Sequence, residues 1–120
     1  MNELPSELAA IILSGDKLAM YELLTDAAHL DRGTLLALEP YMLQSPMLSY
    51  AYAAYVLCRR WPEAEPGLLR SPKYGAMYAR YVIRDRWPEW EDTMEAMLKR
   101  HEINLNDQEW IGWYWMHMGG

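Results

Sequence analysis

The chain has 120 residues, 52% of them apolar and 23% charged, with a formal net charge of −6, one cysteine, nine tyrosines, six tryptophans and no phenylalanine. This length bounds a single domain, and the apolar fraction excludes a disordered chain, while the charge density excludes a membrane span. The acidic balance argues against a protein that wraps duplex phosphate and favours basic partners. With no phenylalanine, every tyrosine and tryptophan ring carries a polar tip as well as an apolar face, which suits half-buried positions. The acids of Met1 to Glu7 give no secretory leader, and the lone Cys58 makes no internal disulfide, so the expected location is the cytoplasm.

Taken in chain order, Pro5 to Leu13 reads as a short apolar helix ended by Ser14-Gly15. Asp16 is placed to cap a second helix, Lys17 to His29. A third, about Thr34 to Leu43, is expected to bend or split at Pro40.

A block is then written twice. Residues 45–70 and 71–96 agree at 11 of 26 positions: Ser, Pro, Tyr, Ala, Tyr, Val, Arg, Trp, Pro, Glu and Glu. The same offset aligns Glu39-Pro40 with Glu65-Pro66, as the tail of a decayed earlier unit. Asp107 to Met118 reads as a third copy of the first helix, with Tyr114 in register with Tyr78 and Tyr52 after a ten-residue insertion following Met97. A fixed period of this size predicts one helical unit stacked on copies of itself. The expected fold is therefore all-α: short helical hairpins stacked into a solenoid-like bundle. Residues 1–44 supply N-terminal helices and the decayed unit, 45–70 and 71–97 two repeats, and 98–120 the insertion and a degenerate unit.

Within a unit, Ser45 and Ser71 are N-caps, with Pro46 and Pro72 at the first helical position. Leu48, Tyr52, Tyr55 and Val56, then Tyr74, Tyr78, Tyr81 and Val82, then Trp110, Tyr114, His117 and Met118, are expected to share an apolar face. Ala51, Ala53, Ala54, Gly75, Ala76 and Ala79 allow close helix approach. At each Arg-Trp-Pro-Glu corner, Trp61 and Trp87 leave one helix and Pro62 and Pro88 open the next. The second helix is expected to be interrupted by Pro66-Gly67 in one copy and to run from about Pro88 to His101 in the other. Tyr52, Val56, Trp61, Tyr78, Val82 and Trp87 are assigned to packing between units, with Arg60 and Arg86 pairing first-turn glutamates.

Chemistry is sparse in the sequence. His29, His101 and His117 have no metal-ligand spacing, so no metal and no cofactor are expected. Glu63 with Glu65 and Glu89 with Glu91 are two apart on a helix and diverge, so they set up no acid–base pair. No phosphate loop or nucleophile elbow occurs, and the chain is not expected to be an enzyme. Arg59, Arg60, Arg80, Arg84 and Arg86 lie among tyrosines, as on a single-strand stacking surface, but acids interleave with them and direct nucleic-acid binding is disfavoured. Trp110, Trp113, Tyr114 and Trp115 surround the last helix, and with Trp90 they are the expected partner-binding residues.

The pattern Ser/Asp-Pro-x-x-Ala-Tyr-x-Tyr-Ala-x-x-Val-Ile-x-x-Arg-Trp-Pro-Glu-x-Glu, carried by residues 39–91 and more loosely by 107–118, resembles a helical repeat of tailed-phage and prophage proteins. That resemblance implies a small phage accessory protein in the host cytoplasm. It would bind and block a host protein or complex, as anti-CRISPR inhibitors do. A self-assembling phage component, and so a homo-oligomer, is the alternative, and a single-stranded nucleic-acid binder the second.

Overall fold

The computed structural model describes residues 10–11, 13–25 and 31–118, which are helices and connecting turns without a strand among them. Most of the expected helix Pro5 to Leu13, and residues 26–29 of the expected Lys17 to His29 helix, lie outside the described residues. Gly15, with φ +70°, turns the chain after Ser14, its N–H donating to the Ile11 carbonyl at 3.1 Å.

Helix α1 (Lys17–Thr25) is capped by Asp16, whose Oδ1 accepts from the Ala19 N–H at 3.0 Å. Helix α2 (Arg32–Met42) starts two residues before the expected Thr34, because Asp31 is the cap and accepts from the Thr34 N–H at 2.7 Å. Pro40 lies inside α2 without splitting it: the N–H of Leu43 still reaches the Glu39 carbonyl at 3.0 Å.

The two repeats then follow the same path. Helix α3 (Pro46–Ala51) continues into a π-helical turn (Tyr52–Leu57), and α5 (Pro72–Tyr78) into another (Ala79–Ile83). Ser45 and Ser71 cap α3 and α5, accepting from the N–H groups of Leu48 and Tyr74. Each π turn ends on a left-handed residue at the same repeat position, Cys58 with φ 54° and Arg84 with φ 64°.

After each corner a second helix begins at proline. In the first unit a 3-10 turn (Pro62–Ala64) runs into α4 (Glu65–Leu69), so Pro66-Gly67 is accommodated in the first turn of α4 rather than breaking it. In the second, α6 spans Pro88–Lys99 and stops before His101, which has φ 56°. Helix α7 (Leu105–Met118) is capped by Asn104, whose Oδ1 accepts from the Asp107 N–H at 2.8 Å. Asp107 therefore sits in the first turn, not at the cap that its alignment with Ser71 predicts. The insertion is taken up by lengthening α6 and adding a turn to α7, with Ile103 buried between them.

Helix α1 packs on α3, α3 on α5 and α5 on α7, with α4 against α6 on a second layer. The molecule measures 46 × 26 × 20 Å along its principal axes. The small residues make this row tight: Ala51, Ala53, Ala76 and Ala79 are fully buried. The expected aromatic face is only half realised. Leu48, Tyr52, Tyr78 and Tyr114 are buried and Val56 and Val82 half-buried, but Tyr55 and Tyr81 are exposed. Both exposed tyrosines lie in the π turns, where Tyr55 meets the ring of Tyr21 and Tyr81 that of Trp113.

Gly75 marks the closest approach. A Cβ there would stand 2.2 Å from Trp90 Nε1 and 2.6 Å from the Leu68 carbonyl oxygen, whereas one on Gly112 would meet open space. Gly75→Ala is expected to lower unfolding stability by about 1–3 kcal/mol through overpacking. Gly112→Ala, in the interior of α7, is expected to raise it by about 0.5–1 kcal/mol. Urea unfolding of the two variants beside the parent checks both signs.

Candidate functional site

One arrangement of side chains occurs in full at two successive joints. Tyr78 on α5 donates its hydroxyl hydrogen to Glu65 Oε2 at 2.7 Å and accepts from the Trp61 N–H of the preceding corner at 2.7 Å. Arg60 closes on the same carboxylate through two bonds, Nε to Oε2 at 2.9 Å and Nη2 to Oε1 at 2.8 Å. The next joint repeats it: Tyr114 donates to Glu91 and accepts from the Trp87 N–H at 2.8 Å, and Arg86 holds Glu91 through Nε at 3.0 Å and Nη2 at 2.6 Å. Indole rings seal the corners, Trp61 on Tyr52 at 4.8 Å and Trp87 on Tyr78 at 5.1 Å.

Glu65 and Tyr78 are 13 residues apart, and Glu91 and Tyr114 are 23 apart, so the ten-residue insertion leaves the joint unchanged. The decayed unit keeps half of it. Tyr52 donates to Glu39 Oε2 at 2.7 Å, but Thr34 and Leu35 stand where later units have Arg and Trp, and the hydroxyl lies 3.4 Å from the Leu35 carbonyl oxygen. No buried side-chain polar atom among the described residues lacks a partner.

These contacts tune the groups they join. Arg60 holds Glu65, and Arg86 holds Glu91, below the ordinary carboxylate value, with the tyrosine hydroxyls adding to the effect against partial burial. Burial first, and the neighbouring carboxylate second, push the Tyr114 hydroxyl up to about 12. The inward carboxylates are thus locked as ionised acceptors, with their lone pairs committed to the joint. Glu63 and Glu89 point outward and are exposed.

The partner-binding expectation divides. Trp90 and Tyr114 are fully buried, with ring centroids 4.5 Å apart, and belong to the core rather than to a docking surface. The Trp90 indole N–H donates to the Ser71 carbonyl at 3.0 Å over Gly75, which fixes it there. Trp110 and Trp113 are half-buried, the first under Lys73 and the second against Tyr81. Trp115 is 43% exposed on another face of α7, with the Arg86 guanidinium 5.1 Å from its ring centre.

Trp115 borders a feature that sequence reasoning missed, a groove of about 360 Å³ between α6 and α7. Met94, Leu98, Ile111 and Trp115 supply its apolar surface, and Asp92 and Glu95 its rim. Leu98 is 36% exposed on the groove, and Met116, on the neighbouring surface of α7, is 79% exposed. Spacing alone offered a signal: Met94 and Leu98 are four apart on one helix and Ile111 and Trp115 four apart on another. Their meeting depends on how the insertion folds. Among the described residues no group of three or more His, Cys, Asp or Glu side chains converges on a metal site, and no helix is long and apolar enough to cross a membrane. His101 and His117 are exposed and separate, and His29 lies outside the described residues.

Fold and site together define an all-α protein whose repeated units are joined by a Trp–Tyr–Glu–Arg staple. Comparison with family models, curated proteins and solved structures finds no match to the chain.

Tyr78→Phe and Tyr114→Phe are each expected to destabilise by about 1–3 kcal/mol, because each leaves the buried backbone N–H of Trp61 or Trp87 without an acceptor and removes one donor from a carboxylate that arginine still holds. Tyr52→Phe is expected to cost about 0.5–1.5 kcal/mol, since no amide depends on it. Denaturant titration of the three variants measures the difference. Glu65 and Glu91 have lowered folded-state values, so their contribution is full at neutral pH and is lost as pH falls below the ordinary glutamate range. The Glu65→Gln, Glu91→Gln double variant is therefore expected to flatten the acid limb of a plot of urea midpoint against pH.

Proposed function

We propose that this chain is a non-enzymatic protein-binding module whose docking surface is the α6–α7 end of the helix stack. The observation that carries this reading is the exposure of Leu98 and Trp115 on an apolar groove, with Met116 exposed next to Trp115 on α7, on helices held in place by a fully satisfied staple. Rigid support under exposed apolar side chains is what a binding surface needs, because little ordering is left to be done on association. The inward carboxylates support a non-catalytic role, since Glu65 and Glu91 are consumed by arginine and tyrosine.

Its resemblance to phage repeat proteins extends the proposal to a phage accessory protein that blocks a host protein or complex in the host cytoplasm, in the manner of an anti-CRISPR inhibitor. Self-assembly is the second reading, favoured by the same exposed patch, with a second copy as occupant. A single-strand binder draws less support, because Arg60 and Arg86 are already neutralised by bidentate glutamates.

The test is affinity capture from host lysate with the tagged protein beside a Trp115→Ala, Met116→Ser variant whose helicity is checked by circular dichroism. The expected outcome is a stoichiometric partner whose affinity falls about tenfold or more in the variant. Recovery of no partner, or equal recovery by both forms, contradicts the proposal.

A further inference from the structure

We infer that the groove between α6 and α7 is a docking site for a basic amphipathic helix, which seats an apolar side chain on Met94, Leu98, Ile111 and Trp115 and sets lysines or arginines over Asp92 and Glu95. The inference rests on the protein-binding reading above and adds to it the chemistry of the partner.

The shape comes first. Glu91, Met94, Glu95 and Leu98 form one stripe of α6, and Ile111 and Trp115 one stripe of α7, so the groove runs along two helices and presents anchors at helical spacing. The chain itself fills the corresponding groove one unit earlier. There Leu68, Gly75 and Ala79 occupy the positions of Met94, Ile111 and Trp115, and Trp90, an apolar side chain projecting from a helix, is seated over Gly75 with its N–H on the Ser71 carbonyl. A helix carrying an apolar anchor is thus what this fold already places in that position.

Charge then selects the kind of helix. Residues 85–118 hold eight of the seventeen acids and three of the eleven bases, so they carry −5 of the net −6. Of those bases, Arg86 is committed to Glu91. Lys99 meets Glu95 at 3.2 Å in a pair exposed on both sides, which an incoming cation displaces at little cost. Arg100 turns to Glu102, and Asp92 has no ion pair among the described residues. An acidic rim around an apolar floor attracts a Lys- or Arg-rich helix and repels phosphate, so neither a nucleic acid nor an anionic membrane suits this groove.

The test uses two labelled synthetic helical peptides that share a leucine stripe, one with a lysine-rich polar face and one with a glutamate-rich face, titrated by fluorescence anisotropy at low salt. The expected result is saturable binding of the lysine peptide alone, weakened by added salt. Asp92→Lys with Glu95→Lys is expected to weaken it about tenfold or more, while Glu22→Lys with Glu63→Lys, an equal charge change far from the groove, is expected to alter it less than about threefold. Absence of binding, equal binding of the glutamate peptide, or equal loss in the remote variant overturns the inference. Sedimentation showing a dimer that the lysine peptide does not dissociate overturns it in favour of a second copy. A captured partner that depends on Trp115 but not on Asp92 and Glu95 leaves the binding function standing and removes the basic helix. Capture that depends on neither removes both.

Discussion

The structure depends on a tyrosine hydroxyl placed between a buried backbone amide and an ionised carboxylate. Trp61 and Trp87 leave one helix just before a proline opens the next, so their N–H groups fall outside helical bonding and would be buried without a partner. A buried amide with no acceptor costs about 1–3 kcal/mol. In each case the following unit supplies the acceptor through Tyr78 or Tyr114, and a glutamate held by arginine accepts the hydrogen bond of the tyrosine hydroxyl. Each corner is thus completed only when the next helix is in place, which couples neighbouring units beyond what apolar packing does.

That coupling explains how the chain tolerates an insertion. Ten extra residues lengthen α6 and α7 and bury Ile103, yet Tyr114 still reaches Glu91 and the Trp87 amide. The staple sets where α7 lies, and the groove beside it is walled mostly by residues that have counterparts one unit earlier, with Leu98 contributed by the added length of α6. Structural constraint and exposed surface are separated in this way: Trp90 and Tyr114 hold the helices together, and Leu98, Trp115, Asp92 and Glu95 stay exposed along the groove.

Much of the architecture was legible in the sequence because its punctuation is local. Ser-Pro starts, Trp-Pro corners and a repeat of 26 residues mark helix ends through backbone chemistry that needs no tertiary context. The π turns were not legible, since neither Cys58 nor Arg84 is the glycine or asparagine that usually signals a left-handed residue. Glutamates in register at 39, 65 and 91 were visible, as was their reach to arginine. Their pairing with a tyrosine of the next unit requires the stacking geometry. The site was half legible for the same reason: six tryptophans announce contact surfaces, but which of them face solvent is decided by Gly75 admitting Trp90 and by the turn at His101.

Hydrogen exchange at the Trp61 and Trp87 amides tests the staple most directly. Both lie in corners outside regular helix, where backbone amides ordinarily exchange rapidly. With the tyrosine hydroxyls as acceptors, both are predicted to exchange as slowly as the interior amides of α5, opening only with the whole fold, and Tyr114→Phe is predicted to release Trp87 while Trp61 stays protected. Rapid exchange of these two amides in the parent protein would contradict the account.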